Sequence, residues 1–271
     1  MHRVEPEVFL AAETSVNKDE IDRYLNEAYG QIGREWYDKN IGEPMDSGDV
    51  SDSELLTELM GRLCYRSFGV GDHNKNITKV REGNADYIGN IIKSGHGSVL
   101  EHGSCSWILK DVSRVLTHEL VRHRTGMSPS QESLRYVRMD DFGLWIPKDP
   151  EITPEIEALC EAKFIQDEQF CSALAAKLGL DDPGRNFEYK KKWTSFIRRF
   201  APQGMATTIG ITINFRALRH VLELRTAKSA EVEVRLAFDK IAEISTARWP
   251  SLLQDFSRNQ DGEWVSKHKK I

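Results

Sequence analysis

The chain has 271 residues, 39% of them hydrophobic and 29% charged, with a formal net charge of −5. That length suffices for one large domain, or one domain with additions. The acidic balance excludes a whole-protein basic field for nucleic acid, so any phosphate ligand must be held by local charge.

No run of roughly 18 apolar residues is present to span a membrane. The N-terminal MHRVEPEVFLAAE carries early acids and lacks an apolar stretch, which argues against a signal peptide. Cys64, Cys105, Cys160 and Cys171 form no CxxC pair. Their scatter suits reduced thiols of a cytoplasmic protein, each expected as a buried structural thiol.

In chain order, Glu20 to Tyr37 reads as a polar amphipathic helix, followed by a linker-like Ile41 to Ser53, IGEPMDSGDVSDS. Ser51 or Asp52 caps a helix with Leu55, Leu56, Leu59, Met60 and Leu63 on its apolar face. A polar loop at Gly69 to Asn76 precedes a helix over Asn84 to Lys93. Leu100 to Leu109 suits a strand. Asp111 is then the expected cap of a helix with a stripe of Val112, Val115, Leu116, Leu120 and Val121, broken by Gly126 and Pro129. Helices follow over Thr153 to Lys177 and Asn186 to Phe200, the β-branched Thr207 to Asn214 reads as a strand, and helices return at Phe215 to Arg225 and Ala230 to Ala247. The expected class is helix-rich α/β or α+β with few strands around a small central sheet. Residues 1–50 are set apart as an N-terminal extension from a single domain over 51–271.

Arg122 to Tyr136, RHRTGMSPSQESLRY, gathers cations and hydroxyls at a helix end and the loop after it. Arg122, Arg124 and Arg135 can fork onto phosphate oxygens, with Ser130 and Ser133 as hydroxyl donors. Alternatively the cations answer the dipole of their own helix C-terminus. Further along, Arg216 and His220 are four apart and share a helix face, with Leu218, Val221, Leu222 and Leu224 packing inward, and a solvated basic face is the competing reading. Arg198 and Arg199 end an amphipathic helix, where surface arginines are usual. His118 and His123 are five apart, so at roughly 100° per residue they diverge by about 140° and cannot share a zinc. No GxGxxG, GxxxxGK[ST] or GxSxG motif is present.

Five strings in this order, CYRSF (64–68), SGHGSVLEH (94–102), THELVRHR (117–124), SQESLRY (130–136) and NFRALRHVLELR (214–225), resemble the signature blocks of flavin-dependent thymidylate synthases. The resemblance covers roughly Glu54 to Phe256. It implies a homotetramer with FAD bound between subunits. It also implies transfer of a one-carbon unit from methylenetetrahydrofolate to C5 of dUMP, with NADPH recharging the flavin and no enzyme cysteine on the pyrimidine.

By the same resemblance, Arg122, His123 and Arg124 contact FAD, and Arg122 also the nucleotide. Gln131, Ser133 and Arg135 form the substrate loop, Gln131 touching the cofactor as well. Glu119 and Arg198 add nucleotide contacts. Ser67, Ser98, Asn214, Arg216 and His220 match FAD contacts, and His96 stands beside the flavin ring. Arg225 matches the arginine that favours ionisation at N3 of the pyrimidine, which would make C5 more nucleophilic.

The chain departs from the pattern twice. Eight residues, Thr125 to Glu132, separate RHR from Ser133, one more than usual, and Ser229 stands where a histidine often contacts FAD. The longer loop leaves the same chemistry on UMP as an alternative. A non-catalytic FAD- or nucleotide-binding homologue is a rival of another class. No nucleic-acid or membrane partner is expected.

Overall fold

A computed structural model describes residues 1–42, 50–71, 73–137 and 141–269. Most of the linker expected over Ile41 to Ser53 lies outside the described residues. The fold is α+β, with eight α-helices and a four-stranded antiparallel sheet in the order β2-β3-β6-β4 among the described residues. β2 is Glu7–Glu13, β3 Ser104–Ser113, β4 Met127–Gln131 and β6 Ala206–Asn214. A two-residue parallel pair, β1 (His2–Arg3) with β5 (Gly143–Leu144), and a hairpin, β7 (Phe256–Arg258) with β8 (Trp264–Ser266), lie apart from it.

Side chains alternate across a strand, so one face of each strand enters the core. Cys105, Trp107 and Leu109 of β3 and Thr207, Ile209, Ile211 and Ile213 of β6 are buried. Against them pack α4 (Arg114–Leu120), α7 (Phe215–Thr226) and α8 (Val232–Arg248), through Leu116, Leu120, Phe215, Leu218, Leu222 and Phe238. A second cluster joins α1 (Lys18–Tyr37) to α2 (Asp52–Tyr65). A third joins α5 (Pro154–Lys177) to α6 (Phe187–Ile197). α3 spans Asn84–Lys93, as its periodicity predicts. No helix among the described residues is long and apolar enough to cross a membrane.

Local signals explain most boundaries. Ser51 and Glu54 form a reciprocal capping box at the start of α2. α1 kinks at Gly30, whose φ of 57° suits glycine. The cap of α4 is Ser113, not Asp111. Asp111 sits at φ 57°, inside the register shift between Leu109 and Val112 of β3. α4 therefore starts later than the apolar stripe suggests, and Val115 is exposed. Pro129 does not break a helix either. It lies in β4, an edge strand, where proline's missing N–H costs no ladder bond.

Two further corrections concern burial. Leu224 faces out rather than in, and Cys64 and Cys160 are exposed, leaving only Cys105 and Cys171 as buried thiols. Residues 7–13, within the segment set apart by sequence, supply the edge strand β2, paired with β3 from Glu7↔Lys110 to Glu13↔Cys105.

Candidate functional site

The site begins at the junction of β3 and α4. Buried Glu233, in the first turn of α8, accepts the Ser113 backbone N–H at 2.6 Å and also its hydroxyl. Burial raises the Glu233 pKa, against which the Ser113 hydrogen bonds act. This clasp fixes where α4 starts, and α4 with the turn behind it serves two cavities.

The first cavity, about 490 Å³, is lined by Arg114, Thr117 and His118 of α4, Val121, Gln131, and Ser195, Arg198, Arg199 and Gln203. The Gln131 amide donates to the Thr117 hydroxyl at 3.0 Å, which aims that side chain at the cavity wall. Arg114 has a buried Nη1 with no hydrogen-bond partner. Burial, and then the neighbouring Arg198 charge, lower the Arg114 pKa. A half-buried cation beside another cation, with a buried donor unsatisfied, is unfavourable unless an anion completes it. The sequence reading missed Arg114, because it opens an apolar helix and belongs to no cluster of charges.

The second cavity, about 600 Å³, is lined by Arg122, His123, Arg124, Thr125 and Gly126 on one side and Asn214, Arg216, Ala217, His220 and Val221 on the other, with Glu101 between. Asn214 caps α7 by accepting the Ala217 N–H at 2.9 Å. Gly126, at φ 71°, lies so close that a Cβ there would come within 2.6 Å of Asn214 Nδ2. Only glycine brings the RHR turn onto the start of α7. A helix N-terminus flanked by three arginines favours a pyrophosphate, so the residues present fit a dinucleotide such as FAD. Glu101, another residue the sequence left unassigned, pairs with Arg216.

Arg225, on α7, links Glu119 of α4 to His123 of the second cavity. Its Nε donates to His123 Nε2 at 2.8 Å, Nη1 to Glu119 Oε2 at 3.0 Å, and Nη2 to the Glu119 carbonyl at 2.8 Å. The hydrogen bond from Arg225 holds the Glu119 carboxyl below its usual pKa. Burial, followed by the charges of Arg225, His220 and Arg122, depresses His123 to about 4. His123 is thus neutral near pH 7, as a ring that accepts from a guanidinium must be. Arg122 also reaches Glu119, at 3.1 Å.

A third, smaller cavity of about 200 Å³ holds His96 and Ser67, with Arg62, Tyr65, Lys79, Arg81 and Tyr87 in its walls. The Tyr65 hydroxyl and His96 Nδ1 are hydrogen-bonded at 2.6 Å. Five sequence-predicted residues line none of these cavities: Glu119, Arg225, Ser98, Ser133 and Arg135. Ser98 is exposed on the 3₁₀ turn Gly97–Glu101. The Ser133 hydroxyl accepts the Arg135 N–H at 3.3 Å, and the Arg135 guanidinium lies over the Tyr136 ring at 5.9 Å.

A family model described as "Thymidylate synthase complementing protein", Thy1, matches residues 48–251. The chain belongs to the Thy1 family of flavin-dependent thymidylate synthases. It is 35% identical over 215 residues to the flavin-dependent thymidylate synthase of Mycobacterium avium (strain 104), covering 78% of this chain and 82% of that one. It is 34% identical over 212 residues to that of Corynebacterium diphtheriae, covering 76% and 80%.

Among solved structures, the UMP/dUMP methylase PolB from Streptomyces cacaoi, bound with 5-Br UMP, aligns at a TM-score of 0.57 and 15% identity over 92% of each chain. ThyX from Helicobacter pylori, with FAD and dUMP, aligns at 0.51 and 20% identity over 73% of this chain and 94% of that one. At these identities the two structures speak to the fold alone. The sequence reading of the family and of the α+β class stands.

Proposed function

We propose that this protein is a flavin-dependent methylase that converts dUMP to dTMP, taking the one-carbon unit from methylenetetrahydrofolate and reducing equivalents from NADPH. The observation that carries the reading is the division of labour along one short segment. Arg114, Thr117 and His118 face the cavity with the unsatisfied cation, Arg122, His123 and Arg124 face the cleft at the start of α7, and Glu119 between them holds Arg225. Flavin, when bound, supplies the redox chemistry that a protein side chain cannot.

In this reading Arg114, Arg198 and Gln131 take the nucleotide, the arginines meeting its phosphate. Arg122, His123, Arg124, Asn214, Arg216 and His220 hold the diphosphate and ribose of FAD. His96 and Ser67 border the flavin ring. Arg225 acts on the pyrimidine. A guanidinium presented to O2 and N3 stabilises negative charge on the ring and so makes C5 a better carbon nucleophile. Swinging toward the ring, Arg225 gives up contacts to Glu119. Neutral His123 can follow it without a like-charge penalty.

Ser133 and Arg135 line none of the cavities of their own protomer. This supports a homotetramer in which they complete the nucleotide site of a neighbour. Ser98 is assigned to a neighbour's FAD on the same ground. A cytoplasmic setting suits an enzyme that draws on the folate, NADPH and nucleotide pools.

The test is anaerobic turnover with flavin, NADPH, methylenetetrahydrofolate and either dUMP or UMP. Formation of dTMP from dUMP is expected. UMP is the informative second arm, because a pocket that only tolerates an added 2′-hydroxyl discriminates by about 10²-fold or less, and one built around a single sugar by far more. No methylation of either nucleotide by flavin-loaded protein would leave a non-catalytic homologue as the answer.

A further inference from the structure

α1 lies outside the residues matched by the family model, yet its rings pack on Phe68, the residue after Ser67 of the His96 cavity. Phe68, next to Ser67, is buried between two rings of α1. Its centroid is 4.5 Å from that of Tyr29 and 5.4 Å from that of Trp36. Gly69 follows, and a Cβ there would come within 2.8 Å of Ile32 Cγ2, so only glycine lets the chain settle onto the helix. Tyr29 also meets the His73 ring at 4.9 Å.

The turn itself is held from beneath. Arg62, 2% exposed, donates to the Ser67 carbonyl at 2.9 Å and to the Arg81 carbonyl at 2.7 Å, joining two sides of the cavity, and it is anchored on Glu58 at 2.7 Å. Its guanidinium lies 5.9 Å from the Trp36 ring and 4.4 Å from the Tyr87 ring. Arg66 is the left-handed C-cap of α2, at φ 48°, and the Ser67 N–H returns to the Arg62 carbonyl at 3.0 Å, so the turn leaves the helix in a set direction toward α1.

We infer that α1 is a working part of the flavin site: Tyr29, Ile32 and Trp36 are positioning residues that press the turn Arg66 to Gly69 against the cavity of Ser67 and His96 and set its affinity for the flavin. The inference rests on the function proposed above, and it assigns a role to a helix that the family blocks do not include. An accessory brace would steady the whole molecule. Beside the packing of α1 on α2, these three residues converge on one turn, and no residue of α1 lines the nucleotide cavity.

The test uses the full chain with Tyr29→Leu and Trp36→Leu, and Tyr29→Phe as the conservative variant that keeps the ring. Three quantities are read: hydrogen exchange of peptides covering Arg66 to Gly69 and His73 to Arg81, FAD affinity by quenching of flavin fluorescence, and dUMP affinity at saturating FAD. In Tyr29→Leu, exchange in those peptides should rise while that of β6 stays put. FAD should bind about tenfold more weakly, the scale of one or two lost aromatic contacts, and dUMP should bind within about twofold of wild type, as for an uncoupled site. Tyr29→Phe should match wild type. If Tyr29→Leu does not fold, Trp36→Leu is read in its place. Unchanged FAD affinity despite faster exchange overturns the inference, as does a parallel fall in FAD affinity, dUMP affinity and melting temperature. Wild-type protein that binds no FAD removes the proposed function itself, a result visible before any variant is made.

Discussion

Arg225 and His123, 102 positions apart in sequence, are joined by a hydrogen bond from Nε to Nε2 of 2.8 Å. The bond ties α7 to the RHR turn and requires an unprotonated Nε2. It places the guanidinium where it can leave Glu119 for a ligand while one edge stays tethered.

Arg225→Lys keeps the charge and loses the fork. Single-turnover methylation should fall by about 10²–10³ if the guanidinium acts mainly as charge builds on the pyrimidine. Nucleotide affinity, measured by calorimetry, should change much less. Equal losses in both would make Arg225 an anchor.

The depressed His123 pKa carries a pH prediction. The folded protein resists protonating this ring until about pH 4, whereas the unfolded chain takes the proton near 6.5. Between those values the unfolded state binds more protons, so stability is full above about 6.5 and declines as pH falls toward about 4. Thermal melting of the protein across that window should fall less steeply in His123→Asn than in wild type. An unaltered slope would mean that His123 titrates normally.

Arg114→Met removes the cation whose Nη1 lacks a partner. Loss of a hydrogen bond to a charged group is worth about 1.5–3 kcal/mol, so dUMP affinity should drop by roughly 10- to 150-fold. The melting temperature of the nucleotide-free protein should hold or rise, because a half-buried cation with an unsatisfied donor has gone. Flavin affinity should be unchanged.

Light scattering should report a tetramer. Mixing inactive Arg225→Ala subunits with inactive Arg135→Ala subunits should restore part of the activity, since some sites would then draw both residues from intact chains. A monomer with normal turnover would refute the shared site.

Much of the fold was legible because it is local. The apolar spacing of Asn84 to Lys93 and the β-branched run before Asn214 each encode their element within a few residues, and Thr153 and Asn186 announce the helices they cap. β4 was not legible. Met-Ser-Pro-Ser-Gln lacks alternation and carries a proline, and it becomes a strand only because β6 offers it an edge. Asp111 illustrates the same limit, since a good cap residue was diverted by a bulge that depends on pairing with β6. In the site, the RHR turn and the Asn214 to Arg225 block were readable from their order. Arg114 and Glu101 were not, because a partner far away in sequence gives each its meaning.

The pairing of β4 with β6 bears on the extra residue between Arg124 and Ser133. Met127 faces Ile213 and Gln131 faces Ile209, a register without a shift. Beyond it, Glu132 accepts the Thr208 N–H at 3.0 Å. Gln131, opposite Ile209, lines one cavity and Asn214 lines the other, five residues along β6, or roughly 17 Å at the usual rise. That strand acts as a ruler. The loop can gain a residue at either end of β4, yet the spacing between the two cavities is measured by β6, whose length the insertion leaves alone.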